Sequence, residues 1–279
     1  MSGIVEWYRD AVYNKNDPRT SDWFLVSSPG PLLMILVSYV YFCVSAGPRY
    51  MKDKKPYELR KVMIAYNFIQ VLTSAYIVNE GLHGGWGGEY NFFCQPVDYS
   101  DNPMAIRMAK VVHFYFICKL IELLDTVFFV LRKKNRQISF LHLYHHTLMP
   151  ICGWIGIRFF AGGQGTLLGL INSFVHVIMY TYYMLSSFGP HMNKYLWWKK
   201  YLTLLQLIQF CIVFCHITQV LFNGCDFPKF IAFLLSFNSI IFIYMFSSFY
   251  LQNYTNNETK RKKEVKESVS NVATKNKSE

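Results

Sequence analysis

The chain has 279 residues, 52% of them hydrophobic and 18% aromatic, with 16% charged and a formal net charge of +11. Charges gathered into short runs between apolar stretches of about twenty residues exclude an ordinary soluble domain and point to an integral membrane protein with the lipid bilayer as its partner. The basic excess sits in connections and the C-terminal tail, without a zinc-finger, helix-turn-helix or RNA-binding pattern, which excludes nucleic acid as a partner.

Residues 1–27 open the chain with Arg9, Asp10, Lys15, Asp17, Arg19 and Asp22, a polar run without the apolar core of a cleavable signal. Apolar windows then predict transmembrane helices at 28–47, 62–82, 106–131, 139–161, 165–187, 200–222 and 230–251, an all-α membrane domain of seven spans over 28–251. Seven crossings put the termini on opposite sides. The connections on one side hold 20 Lys and Arg against 5 on the other, which predicts a lumenal N-terminal segment 1–27 and a cytosolic tail 252–279. The tail is polar, charged and expected to be disordered. Its Lys275 and Lys277 match a KxKxx-type signal for retrieval to the endoplasmic reticulum membrane. The sequons at Asn253, Asn257 and Asn276 fall on the cytosolic side and are expected to stay unglycosylated.

Cys43, Cys118, Cys152, Cys211 and Cys215 fall within spans, where a thiol packs as a small apolar residue. Cys94 and Cys225 lie in connections on the lumenal side. In an oxidising lumen these two are able to pair, the alternative being two unpaired thiols.

An ionisable residue within a span costs about 2.5–3.5 kcal/mol at the helix centre, so its position carries information. The third span holds Lys119, Glu122, Asp125 and Thr126 in KLIELLDT, which on a continuous helix fall within an arc of about 120°. In the fourth, FLHLYHH places His142, His145 and His146 at i, i+3, i+4 on one side. The fifth carries NSFVHVIMYTYY, with Asn172, His176, Tyr180 and Tyr183 in a stripe; the sixth, TLLQLIQ, aligns Thr203, Gln206 and Gln209; the second offers Asn67 and Gln70. At about 1.5 Å per residue these groups lie in one layer about 5–16 Å from the cytosolic ends of the spans, a polar chamber open to the cytosol. Isolated amides also fit interhelical hydrogen bonds, and Lys119 with Glu122 a structural ion pair. Three histidines on one buried face do not fit so bland a role. His83, His113, His191 and His216 are isolated and read as non-catalytic.

At these residues the sequence resembles the ELO family of very-long-chain fatty acid elongases. The likeness rests on KLIELLDT, HLYHH, NSFVHVIMYTYY and TLLQLIQ, in that order on successive helices, and family-like wording runs from about Pro31 to Tyr250. LWWKKYLTLLQLIQF is similar to the metazoan subgroup acting on saturated and monounsaturated chains. The resemblance implies seven helices, six of them forming a barrel around an acyl-chain tunnel, in the endoplasmic reticulum membrane. It implies a 3-oxoacyl-CoA synthase that condenses a fatty acyl-CoA with malonyl-CoA and needs no metal or other cofactor. Cys94 and Cys225 occupy loops where relatives carry a lumenal disulfide. Candidate partners are the other enzymes of the cycle (ketoreductase, dehydratase, enoyl reductase) and a second copy of the chain.

Condensation needs an acyl carrier and stabilisation of an enolate. Cys118 and Cys152 are candidate nucleophiles outside the motifs, and a neutral imidazole does the same work. By motif position the resemblance points to His145 as acyl carrier and His176 as its partner, with His142, His146 and Asp125 orienting or protonating. Lys119 and Glu122 are assigned to the substrate site. Asn172, Gln206 and Gln209 are candidate donors to the thioester or enolate oxygen, and Arg132, Lys133, Lys134, Arg136, Lys199 and Lys200 sit where CoA phosphates would approach. The enzymatic rival is a membrane di-iron desaturase or hydroxylase, which needs about eight histidine ligands where this chain has one box. The non-enzymatic rival is a seven-helix transporter or receptor, against which the histidine cluster argues.

Overall fold

The computed structural model describes residues 16–255, among which no strand occurs. The helices are α1 (Gly30–Met51, with a π turn at Phe42–Ala46), α2 (Arg60–Gly81, followed by a π turn Leu82–Trp86), α3 (Pro103–Ile121), α4 (Leu124–Leu131), α5 (Phe140–Phe159), α6 (Thr166–Ser187), α7 (Lys199–Thr218) and α8 (Lys229–Tyr250, continued by a π turn Leu251–Thr255). Two starts are written locally. Asn102 Oδ1 accepts from the Met104 amide ahead of Pro103, and Ser139 Oγ accepts from the His142 amide, fixing where the histidine face of α5 begins.

Among the described residues, five helical segments are both long and apolar enough to cross a membrane: Gly30–Met51, Arg60–Trp86, Thr166–Ser187, Lys199–Leu221 and Lys229–Thr255. This makes the chain a multi-pass membrane protein. The other two predicted spans are the polar ones. The span expected at 106–131 is not continuous: it breaks at Glu122–Leu123 between α3 and α4. The fourth, α5, carries the three histidines and Arg158. Arg158, inside the predicted span 139–161, is buried at the end of α5, where its Nη1 donates to Ser21 O at 3.0 Å. Residues 252–255, expected in a disordered tail, continue α8 as helix, and Asn253 Nδ2 bonds Phe249 O at 2.8 Å. Asn257, Asn276, Lys275, Lys277 and residues 1–15 lie outside the described residues.

Helices pack in a cyclic order. α3 packs on α2, α2 on α6, α6 on α7, α7 on α8, and α5 on α3. The circle closes where Tyr144 Oη donates to Asn238 Oδ1 at 2.9 Å and Phe242 of α8 meets the rings of Tyr144 and His145. α1 stays outside, its Leu32, Leu36 and Tyr39 buried against the α3 and α5 residues Phe116, Trp154 and Ile157. At Gly47 it approaches α4 so closely that a Cβ would lie 2.7 Å from Val130 Cγ1.

Connections meet in two groups. At one end Cys94 and Cys225 are joined in a disulfide, Gln95 and Gln164 exchange hydrogen bonds at 2.7 and 2.8 Å, and the Asp17 amide, Arg19 Nη2 and Thr20 Oγ1 donate to the carbonyls of Arg158, Ala161 and Ile157 at the end of α5. At the other, Lys133 Nζ donates to Lys52 O, the Tyr57 amide to Leu131 O, and Arg60 to Ser187 O and Phe188 O. These are the same two sets of connections that the charge count separates.

Candidate active site

A buried polar cluster lies between α3 and α6. Lys119 Nζ donates to Glu122 Oε1 at 2.7 Å and Oε2 at 2.9 Å, and His176 Nδ1 stands 3.2 Å from Glu122 Oε1 and 3.4 Å from Lys119 Nζ. Relative exposures of 2%, 3% and 6% for Lys119, Glu122 and His176 mean that each charge is answered by protein groups rather than by solvent. Lys119 also stands 4.7 Å from the centroid of the Tyr115 ring, whose hydroxyl donates to Asn172 Oδ1 at 3.0 Å.

The histidine face of α5 looks into the same ring of helices. His142 and His146 ring centroids are 4.2 Å apart, and His145 stands 5.3 Å from His146 and 5.6 Å from Phe242. Lys119 and Glu122 are within electrostatic range of both His145 and His146, and His176 is within range of His145. His142 Nε2 lies 2.8 Å from Thr126 Oγ1, whereas His145 and His146 have no hydrogen-bond partner among the described residues. His145 therefore keeps a free ring nitrogen, the first requirement of a nucleophile.

Across the interruption at Glu122–Leu123, Asp125 stays on the side of Glu122, facing α6. Asp125 does not join the histidine box: its Oδ2 accepts from Tyr180 Oη on α6 at 2.8 Å, while Thr126 turns to His142 and to Tyr39 of α1. Gln206 Nε2 reaches only Met179 Sδ at 3.5 Å, and the Oε1 of buried Gln209 has no partner among the described residues. Asn67 turns back to Met63 O of its own helix and Gln70 Nε2 donates to Tyr66 Oη at 3.0 Å. Of the basic candidates, Lys134, Arg136 and Lys199 are exposed and Lys200 is half-buried; Arg132 Nη1 contacts Met63 Sδ and Lys133 is tethered to Lys52 O. All lie at the end away from the disulfide. A surface hollow of about 800 Å³ lined by Trp23, Leu72, Tyr76, Lys110 and His113 shares no residue with this cluster.

Three tyrosines, Tyr39, Tyr115 and Tyr180, supply hydroxyls to the site's hydrogen bonds. Tyr180 carries a legible signal, one turn beyond His176 in NSFVHVIMYTYY. Tyr39 carries none, being one aromatic residue in an apolar run.

An all-helical, multi-pass membrane protein that gathers histidines, a buried Lys–Glu pair and amides inside a ring of helices defines a class with a membrane-embedded polar site. The particular family follows from comparison: the model described as the ELO, GNS1/SUR4 family matches residues 24–263, and the chain belongs to that family. It is 46% identical over 267 residues to very long chain fatty acid elongase 7 of Drosophila melanogaster, covering 95% of this chain and 81% of the relative. Identity to very long chain fatty acid elongase 7 of Rattus norvegicus is 49% over 252 residues, 89% of this chain and 88% of that one. To very long chain fatty acid elongase 4 of Homo sapiens it is 45% over 273 residues, 98% and 86% of the two chains.

Proposed function

We propose that this chain is a very-long-chain 3-oxoacyl-CoA synthase, lengthening a fatty acyl-CoA by two carbons from malonyl-CoA. The observation that carries the reading is that His145 and His146 on α5 lie within electrostatic range of the buried Lys119–Glu122 pair inside one ring of helices, in a chain similar to named elongases along nearly its whole length. On this reading seven helices cross the endoplasmic reticulum membrane, with the N-terminus lumenal, the tail cytosolic and retrieved through Lys275 and Lys277. The ring of α2, α3 with α4, α5, α6, α7 and α8 encloses the acyl-chain tunnel.

Acyl transfer begins when a ring nitrogen of His145 adds its lone pair to the thioester carbon. Collapse of the adduct breaks the C–S bond, and the departing CoA thiolate takes the proton from the other ring nitrogen. Malonyl-CoA then loses carbon dioxide, the C–C bonding electrons becoming an enolate whose carbon attacks the acyl-imidazole. The C–N bond breaks, the imidazole regains a proton from solvent, and 3-oxoacyl-CoA leaves. An apolar tunnel filled by the acyl chain keeps bulk water from the acyl-imidazole. The side-chain amides of Gln209, Asn172 and Gln206 are proposed to meet the developing oxyanions, while His176, its Nδ1–H directed to Glu122, keeps Nε2 as a proton acceptor. Lys133, Lys134, Arg136, Lys199 and Lys200 are proposed to receive the CoA phosphates.

The proposed reaction uses no metal or cofactor. A di-iron oxidase would need about eight histidine ligands, where this chain has one histidine box. The test is purified protein given acyl-CoAs and labelled malonyl-CoA. Labelled 3-oxoacyl-CoA is the expected product; its absence, or a requirement for stoichiometric iron, would reject the proposal.

A further inference from the structure

We propose that Tyr39, on α1 outside the ring, is a positioning residue that acts through Thr126 to hold His142 as the tautomer with its proton on Nδ1. Its kinetic part rests on the function proposed above. Tyr39 Oη and Thr126 Oγ1 are 2.7 Å apart, and Thr126 Oγ1 and His142 Nε2 are 2.8 Å apart, so three groups from α1, α4 and α5 form a single file. Tyr39 and Thr126 are both buried, Thr126 completely.

Proton bookkeeping sets the direction of that file. The Tyr39 hydroxyl has one proton and, among the described residues, one partner, Thr126. Were Thr126 to donate to Tyr39, the phenolic proton would be left buried without a protein acceptor, an unsatisfied donor that folding disfavours. A phenol is also the stronger acid of the two hydroxyls and hence the better donor. Tyr39 therefore donates to Thr126. The Thr126 proton then has two places to go, its own helix carbonyl one turn back or His142, and no bond of Thr126 to a backbone carbonyl exists among the described residues. It is donated to His142 Nε2, which must be bare, so the ring proton resides on Nδ1.

This gives α1 a role in the reaction although it takes no part in the ring. With Nε2 occupied, His142 is turned at a fixed angle beside His146, 4.2 Å between centroids, and is kept from competing with His145 as a nucleophile through that nitrogen.

The experiment is NMR of protein carrying 15N in its histidine rings, in lipid nanodiscs, with His142 assigned by the signals lost in His142→Asn. Wild type is expected to show a protonated Nδ1 and a bare Nε2, and Tyr39→Phe, which keeps the ring packing, to show both tautomers. In turnover assays Tyr39→Phe is expected to lower kcat about 3- to 10-fold, the kinetic size of one net hydrogen bond, with KM for acyl-CoA unchanged. Thr126→Ser should retain activity, and adding Tyr39→Phe to Thr126→Val should cost nothing beyond Thr126→Val alone. A protonated Nε2 in wild type, an unchanged tautomer in Tyr39→Phe, or additive losses in the double variant would overturn the proposal. Lack of turnover by wild type would reject the proposed function instead, and the spectra would still decide the tautomer.

Discussion

Glu122 Oε1 accepts from Lys119 Nζ at 2.7 Å while lying 3.2 Å from His176 Nδ1, so one carboxylate at the end of α3 ties its own helix to α6. The chain breaks its helix at that carboxylate. Asp125 stays on the side of Glu122, the two carboxylates meeting Tyr180 and His176 one turn apart on α6, while Thr126 turns to His142 and Tyr39.

Removing one partner of this ion pair leaves the other charge buried. Glu122→Gln is expected to destabilise the protein by about 3–5 kcal/mol, whereas the double variant Lys119→Met/Glu122→Leu recovers most of the stability. Both should lose condensation. Thermal melts in detergent beside turnover assays check this, and a single variant as stable as wild type would show that the pair is not a buried charge pair.

Much of the fold was legible because membrane spans are written in length and apolarity alone. The predicted spans 165–187 and 230–251 meet helices at Thr166–Ser187 and Lys229–Tyr250. The break at Glu122–Leu123 was not legible, since leucines on both sides favour helix and the interruption comes with tertiary pairing of Glu122, Asp125 and Thr126. At the site, the i, i+3, i+4 histidines and the stripe containing His176 showed which residue types share a face. Which partner each one takes was hidden, because spacing along one helix says nothing about rotation against the next. Gln164, whose side chain gathers the Gln95 amide and the carbonyls of Phe92 and His216, likewise gave no signal in a Gly-rich connection.

The two sets of connections should face opposite compartments, with the Arg132–Arg136 side cytosolic. An epitope placed after Glu279 is expected to be removed by protease added to sealed microsomes. Protection until detergent is added would reverse the orientation.

The bridge between Cys94 and Cys225 spans 131 residues of sequence and fastens the loop after α2 to the one before α8. Peptide mapping without reductant is expected to recover it, and Cys94→Ser to lower stability by about 2–4 kcal/mol. Because the bridge lies at the end away from the basic candidates, activity measured below the melting transition should remain. Two free thiols in native protein would remove this element of the account.

The central claim is that His145 carries the acyl group, and acyl-CoA alone tests it, without malonyl-CoA. The expected result is release of CoA in proportion to enzyme, together with the acyl mass on a peptide containing His145, both lost in His145→Ala. If His145→Ala still releases stoichiometric CoA and still carries the acyl mass, another residue is the carrier and the account is contradicted.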